Sequence, residues 1–186
     1  MNSTKEKIIL AAINCLGKSA AASLEEIATS IQLSRRTIHR HFPSKTALID
    51  QITSYASAHC LNTTKAALKN SKIPKEQLHQ MFRSDVQSGM QFRFLYQIGG
   101  NMETVEEQSD DFKTMMLLFR EVLNTLKLKG DLLPEVTLPW IEQFYLATID
   151  AAIAMQMRPE TTTTGQEITT MAWSSFARAV FLNPDT

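Results

Sequence analysis

Apolar residues recur along this chain at helical spacing. Ile8, Ala12, Cys15 and Leu16 fall at i, i+4, i+7 and i+8, and the run meets Gly17, which predicts a first helix ending there. Leu24, Ile27, Ala28 and Ile31 repeat the spacing behind Ser23 and Glu26. That serine can accept from the third amide while the glutamate reaches back, so a short, well-capped second helix is expected. Ser34 predicts the cap of a third helix over 35–41, with Leu33, Ile38 and Phe42 on its buried side. Pro43 stops it, because proline has no amide donor and clashes with the preceding turn. Ser44 opens a fourth, from about 45 to near 68, with Leu48, Ile52, Tyr55, Ala56 and His59 in register.

Beyond Pro74 the rhythm resumes. Leu78, Phe82, Val86 and Met90 mark a fifth helix, Phe92 to Ile98 a short one before Gly99 and Gly100, and Phe112, Met115, Met116, Phe119, Val122, Leu123 and Leu126 another that Gly130 ends. From 138 to 157 two apolar faces coexist: Leu138, Ile141, Tyr145, Ile149 and Ala152 on one, Trp140, Phe144, Ala147, Ala151 and Met155 on the other. A helix with two dry faces has two partners. Thr164 and Glu167 make a second capping box, opening a last helix on Ile168, Met171, Ala172, Trp173, Phe176, Val180 and Phe181. Its Ser174, Ser175, Ala177 and Ala179 let a neighbouring helix approach closely. Nothing alternates at strand period and nothing repeats. The expected fold is all-α with about nine helices: a three-helix head, residues 1–50, joined by helix four to a helical body, residues 51–186.

Composition narrows the class. With 44% hydrophobic and 20% charged residues, six glycines and six prolines in 186, the chain is globular, not disordered or fibrous. Its net charge is zero but uneven: residues 1–50 carry seven lysines and arginines against four acids, a net of +3. A basic head on an acidic body is a local footprint for phosphate. Cys15 and Cys60 have neither metal spacing nor the setting of a secreted disulfide scaffold, so a reducing cytoplasm is expected. Lys5, Glu6 and Lys7 open an amphipathic run instead of a signal peptide, and no apolar stretch approaches the roughly 18 residues of a membrane span. His41, His59, His79 and Cys60 read as structural, and no clustered ligand spacing predicts a metal. Without a nucleophile–base arrangement or a glycine-rich phosphate loop, neither enzymatic activity nor a cofactor is expected.

Two short helices joined by a tight turn have the dimensions of a helix-turn-helix, whose second helix enters the major groove of double-stranded DNA and reads bases from its N-terminal residues. Those residues are Arg35, Arg36 and Thr37. An arginine forks onto guanine O6 and N7, worth roughly 1–3 kcal/mol of discrimination. His39 and Arg40 follow one turn later, within reach of a base or phosphate. Lys45 stands in the first turn of helix four, where side chain and helix terminus together suit a backbone phosphate.

IILAAINCLG in the first helix, SLEEIA in the second and LSRRTIHRHFPSKTAL across the third into the fourth resemble, in order and spacing, the TetR family of transcriptional regulators. The resemblance covers about the first quarter of the chain; the rest matches in helix count and length. It implies that Arg35, Arg36 and His39 occupy base-contacting slots and that Thr37 and Lys45 meet phosphate, to which Ser23 and Arg40 are added here. The chain departs from the family at two of these slots, where a small residue usually stands in place of Arg36 and a tyrosine in place of His39. The resemblance also implies a homodimer whose last two helices form a four-helix bundle, with Leu138, Ile141, Ile149, Ala172, Phe176 and Ala179 as its expected interface. It further implies a body pocket that controls the spacing of two heads. Phe82, Met90, Tyr96, Met102, Met115, Met116, Phe119 and Phe144 suit an adaptable apolar cavity. The polar groups near it, Asp85, Gln97, Asn101, Gln143 and Tyr145, are expected on solvent unless the fold turns them inward, and Asp85 and Tyr145 are placed in the pocket on that condition. The function expected is a ligand-responsive regulator, a repressor released from a palindrome by an unidentified hydrophobic or amphipathic effector. The alternative is a constitutive or protein-partner-controlled co-regulator of the same fold.

Overall fold

The computed structural model describes residues 3–95 and 109–184, and these are all-α. They hold eight helices: α1 (Thr4–Lys18), α2 (Leu24–Ser30), α3 (Arg35–His41), α4 (Lys45–Asn70), α5 (Pro74–Phe92), α6 (Asp110–Lys129), α7 (Leu138–Gln156) and α8 (Gly165–Val180). Phe92 ends α5, residues 94–95 are again helical, and residues 96–98 of the short helix expected up to Ile98 fall outside the described residues. Among the described residues no helix is long and apolar enough to cross a membrane.

Helix starts follow the local chemistry. Both expected capping boxes form, at Ser23 with Glu26 and at Thr164 with Glu167. Ser34 caps α3, and Ser44 accepts from the amide of Ala47 at the start of α4. Helix ends are less obedient. α1 passes through Gly17 and stops one residue later, where Ser19 turns extended, because a glycine inside a helix costs only about 1 kcal/mol and does not by itself end it. Gly130 does end α6: its φ is +73°, its amide bonds Lys127 O and the next amide bonds Leu126 O, both at 3.1 Å.

The chain divides into two compact units, Met1–His59 with Gln91–Phe112, and Cys60–Met90 with Lys113–Thr186. In the first, Ile8, Ala12, Leu16, Ile27, Ile38, Phe42, Leu48 and Ile52 form one buried cluster that Phe92, Phe94 and Leu95 complete. Tyr55 and His59 each set a ring edge on Phe92, at centroid distances of 6.3 and 5.7 Å. In the second, Leu78, Phe82 and Val86 of α5 pack with Phe119, Leu123 and Leu126 of α6, Ile141 and Tyr145 of α7, and Trp173 and Phe176 of α8. Gly89 lets α5 and α7 close, since a Cβ there would collide with Cδ1 of Ile153. After α8, Leu182 N–H donates to Asp131 O at 3.0 Å and Lys75 Nζ to the carbonyls of Asn183 and Pro184, tying the last described residues down.

The two dry faces of α7 part company. Ile141, Tyr145, Ile149 and Ala152 are buried within the protomer, while Trp140, Ala147 and Ala151 are exposed and Phe144 and Met155 half-buried.

Candidate nucleic-acid interface

The turn between α2 and α3 is a closed hydrogen-bonded reversal. Gln32 N–H donates to Thr29 O at 3.1 Å and Leu33 N–H to Ala28 O at 2.9 Å, with Gln32 at φ +56°. That left-handed conformation costs a non-glycine residue roughly 1–2 kcal/mol, which the packing of Leu33 against the head core offsets. Ser34 then accepts from Thr37 N–H at 3.1 Å, and α3 begins.

Ile38 is fully buried, and helical period puts the remaining side chains of α3 outward. Arg35, Arg36 and Arg40 are exposed, and Thr37 and His39 half-buried. α3 has no acidic residue in its first turn, where two arginines oppose the helix dipole, at a typical cost of 0.3–1 kcal/mol each for exposed charges. Helix stability therefore does not explain them.

Their surroundings differ. Arg36 and Arg40 take part in no ion pair among the described residues, whereas Arg35 Nε lies 3.0 Å from Oε1 of Glu25 on α2, and His39 Nε2 lies 3.6 Å from the same oxygen. The second separation is too long for a hydrogen bond, and His39 Nε2 is buried without one. A hydrogen bond to backbone holds the Glu25 carboxyl below the usual carboxylate range, with Arg35 and His39 adding to the effect. Sequence reasoning missed Glu25, because nothing in SLEEIA distinguishes it from a solvated helix residue. Ser23 and Thr37 carry out capping work: Ser23 accepts from Glu26 N–H at 3.1 Å, and Thr37 Oγ1 lies 2.9 Å from Ser34 Oγ. Lys45 Nζ donates to Ala20 O at 2.8 Å, so one of its three donors ties α4 to the loop before α2.

In the second unit the structure brings Phe82, Phe119 and Tyr145 together, with the Phe82 and Phe119 rings 5.5 and 4.7 Å from that of Tyr145. Phe144 stacks on Phe176 at 5.8 Å, and Met90 and Met116 pack on the same core. Met115 is half-buried outside that cluster, and Tyr96, Gln97, Asn101 and Met102 lie outside the described residues. Gln143 is exposed as expected, but Asp85 and Tyr145 turn inward: Tyr145, 2% exposed, donates its hydroxyl proton to Asp85 Oδ2 at 2.7 Å. Burial pushes the Asp85 carboxyl up to about 6 against the opposing effect of that hydrogen bond, and raises the Tyr145 hydroxyl well above its ordinary value. Among the described residues no cluster of three or more His, Cys, Asp and Glu could hold a metal ion.

The expected dimer face needs correction. Ile141 and Phe176 are 0% exposed and Ile149 7%, all inside the protomer's own core, so they have no surface left for a second copy. Leu138 and Ala172 are half-buried against that core, and only Ala179 is exposed. The apolar surface that remains on these helices is the opposite one: Trp140 is 61% exposed, Leu146 44% and Met171 53%, and Met171 lines a shallow groove along α8 with Ser174, Ser175 and Arg178.

Residues 8–52 match the model of the bacterial regulatory proteins of the tetR family. No curated protein matches the chain. Among solved structures the fold is similar to that of the ketosteroid transcriptional regulator KstR2 of Mycobacterium tuberculosis, at 16% identity and TM-score 0.73 over 97% of this chain and 96% of that one. It is also similar to the TetR-like regulator LfrR of Mycobacterium smegmatis in complex with proflavine, at 20% identity and TM-score 0.68 over 95% of each chain. The TetR family regulator PfmR of Thermus thermophilus is similar at 17% identity and TM-score 0.64 over 91% of this chain and 94% of that one. At these identities the likeness is one of fold.

Proposed function

We propose, from the match of residues 8–52 to the tetR family of bacterial regulatory proteins, that the chain is a DNA-binding regulator of transcription, a homodimeric repressor released by a small apolar or amphipathic effector. The observation that carries the reading is α3 itself: a capped recognition helix behind a closed turn, with Arg36 and Arg40 exposed and outside any ion pair among the described residues, and Arg35 beside them. Arg35, Arg36 and His39 contact bases, and Ser23, Thr37, Arg40 and Lys45 the flanking phosphates. Two heads then occupy successive major grooves roughly 34–36 Å apart on a palindrome.

The second copy packs on the outward face of α7 and α8, where Trp140, Leu146 and Met171 are exposed and the serines of α8 permit close approach. The effector lodges among Phe82, Met90, Met116, Phe119, Phe144 and Tyr145 beside Asp85. The proflavine held by a protein of the same fold supports an aromatic-lined site. By linkage the effector binds the released state more tightly, and DNA weakens the effector by the same factor.

The test is selection of bound sequences from a random duplex library by the purified protein. A palindrome with guanine in each half-site is the expected product. Recovery of no consensus would reduce α3 to a phosphate grip and overturn the reading of Arg35, Arg36 and His39 as base contacts.

A further inference from the structure

We propose that Glu25 is a positioning residue that sets how Arg35 reads a base and keeps the head off unspecific DNA; the inference rests on the reading of Arg35 as a base contact. One oxygen, Oε1, faces both Arg35 Nε at 3.0 Å and His39 Nε2 at 3.6 Å. With 75% of the arginine side chain and 48% of the glutamate exposed, the pair adds little to stability, so holding α2 to α3 is not what it accomplishes.

The geometry has a different consequence. A guanidinium presents its donors as a rigid fork and can meet guanine O6 and N7 with both terminal nitrogens, or with Nε and one of them. Glu25 occupies Nε. Only the end-on fork stays free, and a long side chain is ordered before DNA arrives, which lowers the entropy lost on binding. His39 stands one turn along α3 with Nε2 buried against the same carboxylate oxygen, so one acid confines two neighbouring readers.

The second consequence is electrostatic. The carboxyl is held below its ordinary range, first by a backbone hydrogen bond and then by Arg35 and His39, and so stays a fixed negative charge beside the recognition helix. It repels the phosphates of every duplex alike. The carboxylate therefore lowers affinity for every duplex by a common factor, while the preference it adds comes from ordering Arg35 for the end-on fork.

The test compares affinities of the full-length protein for the duplex recovered by selection and for a random-sequence duplex of equal length, over a range of salt. Glu25→Gln is expected to bind the random duplex about fivefold more tightly, the worth of one unit charge at contact distance through water. Its preference for the selected duplex should fall about tenfold. Glu25→Asp keeps the charge but withdraws the carboxylate, so its random-duplex affinity should stay at the wild-type level while preference falls. In an Arg35→Ala background the further loss of preference should shrink to what His39 alone contributes, and thermal midpoints should stay level throughout. Unchanged preference in Glu25→Gln, with Arg35→Ala unselective, would overturn the role of Glu25 alone. Loss of preference that tracks a lowered midpoint in both Glu25 variants would make the residue structural and overturn it too. An Arg35→Ala variant as selective as wild type would instead overturn the base contact on which the inference rests.

Discussion

Asp85→Asn removes a charge from a half-buried position beside the core of the second unit while keeping the size of the side chain and an acceptor for the Tyr145 hydroxyl, 2.7 Å away. Burial raises the Asp85 carboxyl from its ordinary 3.8 to about 6. A rise of that size means that the ionised form opposes folding by about 3 kcal/mol. The sign follows from proton counting: between pH 4 and 6 the folded chain holds a proton that the unfolded chain has released, so this part of the stability is present below about pH 3.8 and lost as pH rises through about 6. Asparagine never ionises, but its amide must find a partner, so the net gain at pH 7.5 is expected near 2 kcal/mol. Urea unfolding from pH 4.5 to 8 at one protein concentration, followed by the fluorescence of buried Trp173, measures the difference between variant and wild type. That difference should grow with pH and level off above about 7. A difference flat across the range would refute the desolvation of Asp85.

Five further substitutions test the head, the packing and the assembly. Ser23→Ala removes the side-chain half of the α2 capping box and should cost about 1 kcal/mol in thermal or urea unfolding; an unchanged midpoint would discount that cap. Gly89→Ala gains helix propensity but meets Ile153 Cδ1, so a net loss of about 1–2 kcal/mol is expected, diminished in an Ile153→Val background that lacks that methyl group. Trp140→Glu should turn a dimer into a monomer in sedimentation equilibrium with helical circular dichroism intact; a persistent dimer would move the interface elsewhere. Arg36→Ala should relax preference at one base position, whereas Lys45→Ala should weaken all duplexes alike, flatten the salt dependence by about one unit of slope, and cost the head about 1 kcal/mol through the lost bond to Ala20 O. Equal binding behaviour of these two variants would refute the division between base and phosphate.

Much of the architecture was legible because it is local. Ser23 with Glu26, Ser34 with Thr37, Thr164 with Glu167 and Gly130 each act within a turn of helix, where three or four residues contain the whole hydrogen-bonding problem, and so the helix-turn-helix and its arginines could be read directly. The failures at Gly17 and the dimer face have physical causes of the same kind. A glycine permits a helix end without demanding one, and helical periodicity says that a face is apolar but not what covers it. The sequence alone determined that α7 has two dry faces. Only packing decided that Ile141, Tyr145 and Ile149 turn inward and Trp140 outward, because that choice depends on the shapes of α5, α6 and α8. The same holds for Asp85 with Tyr145, sixty residues apart, for Phe92, Phe94 and Leu95 in the core of the head, and for Glu25 beside Arg35. Each joins groups that no spacing rule connects, and each exists because close packing of distant segments leaves them within a few ångströms of one another.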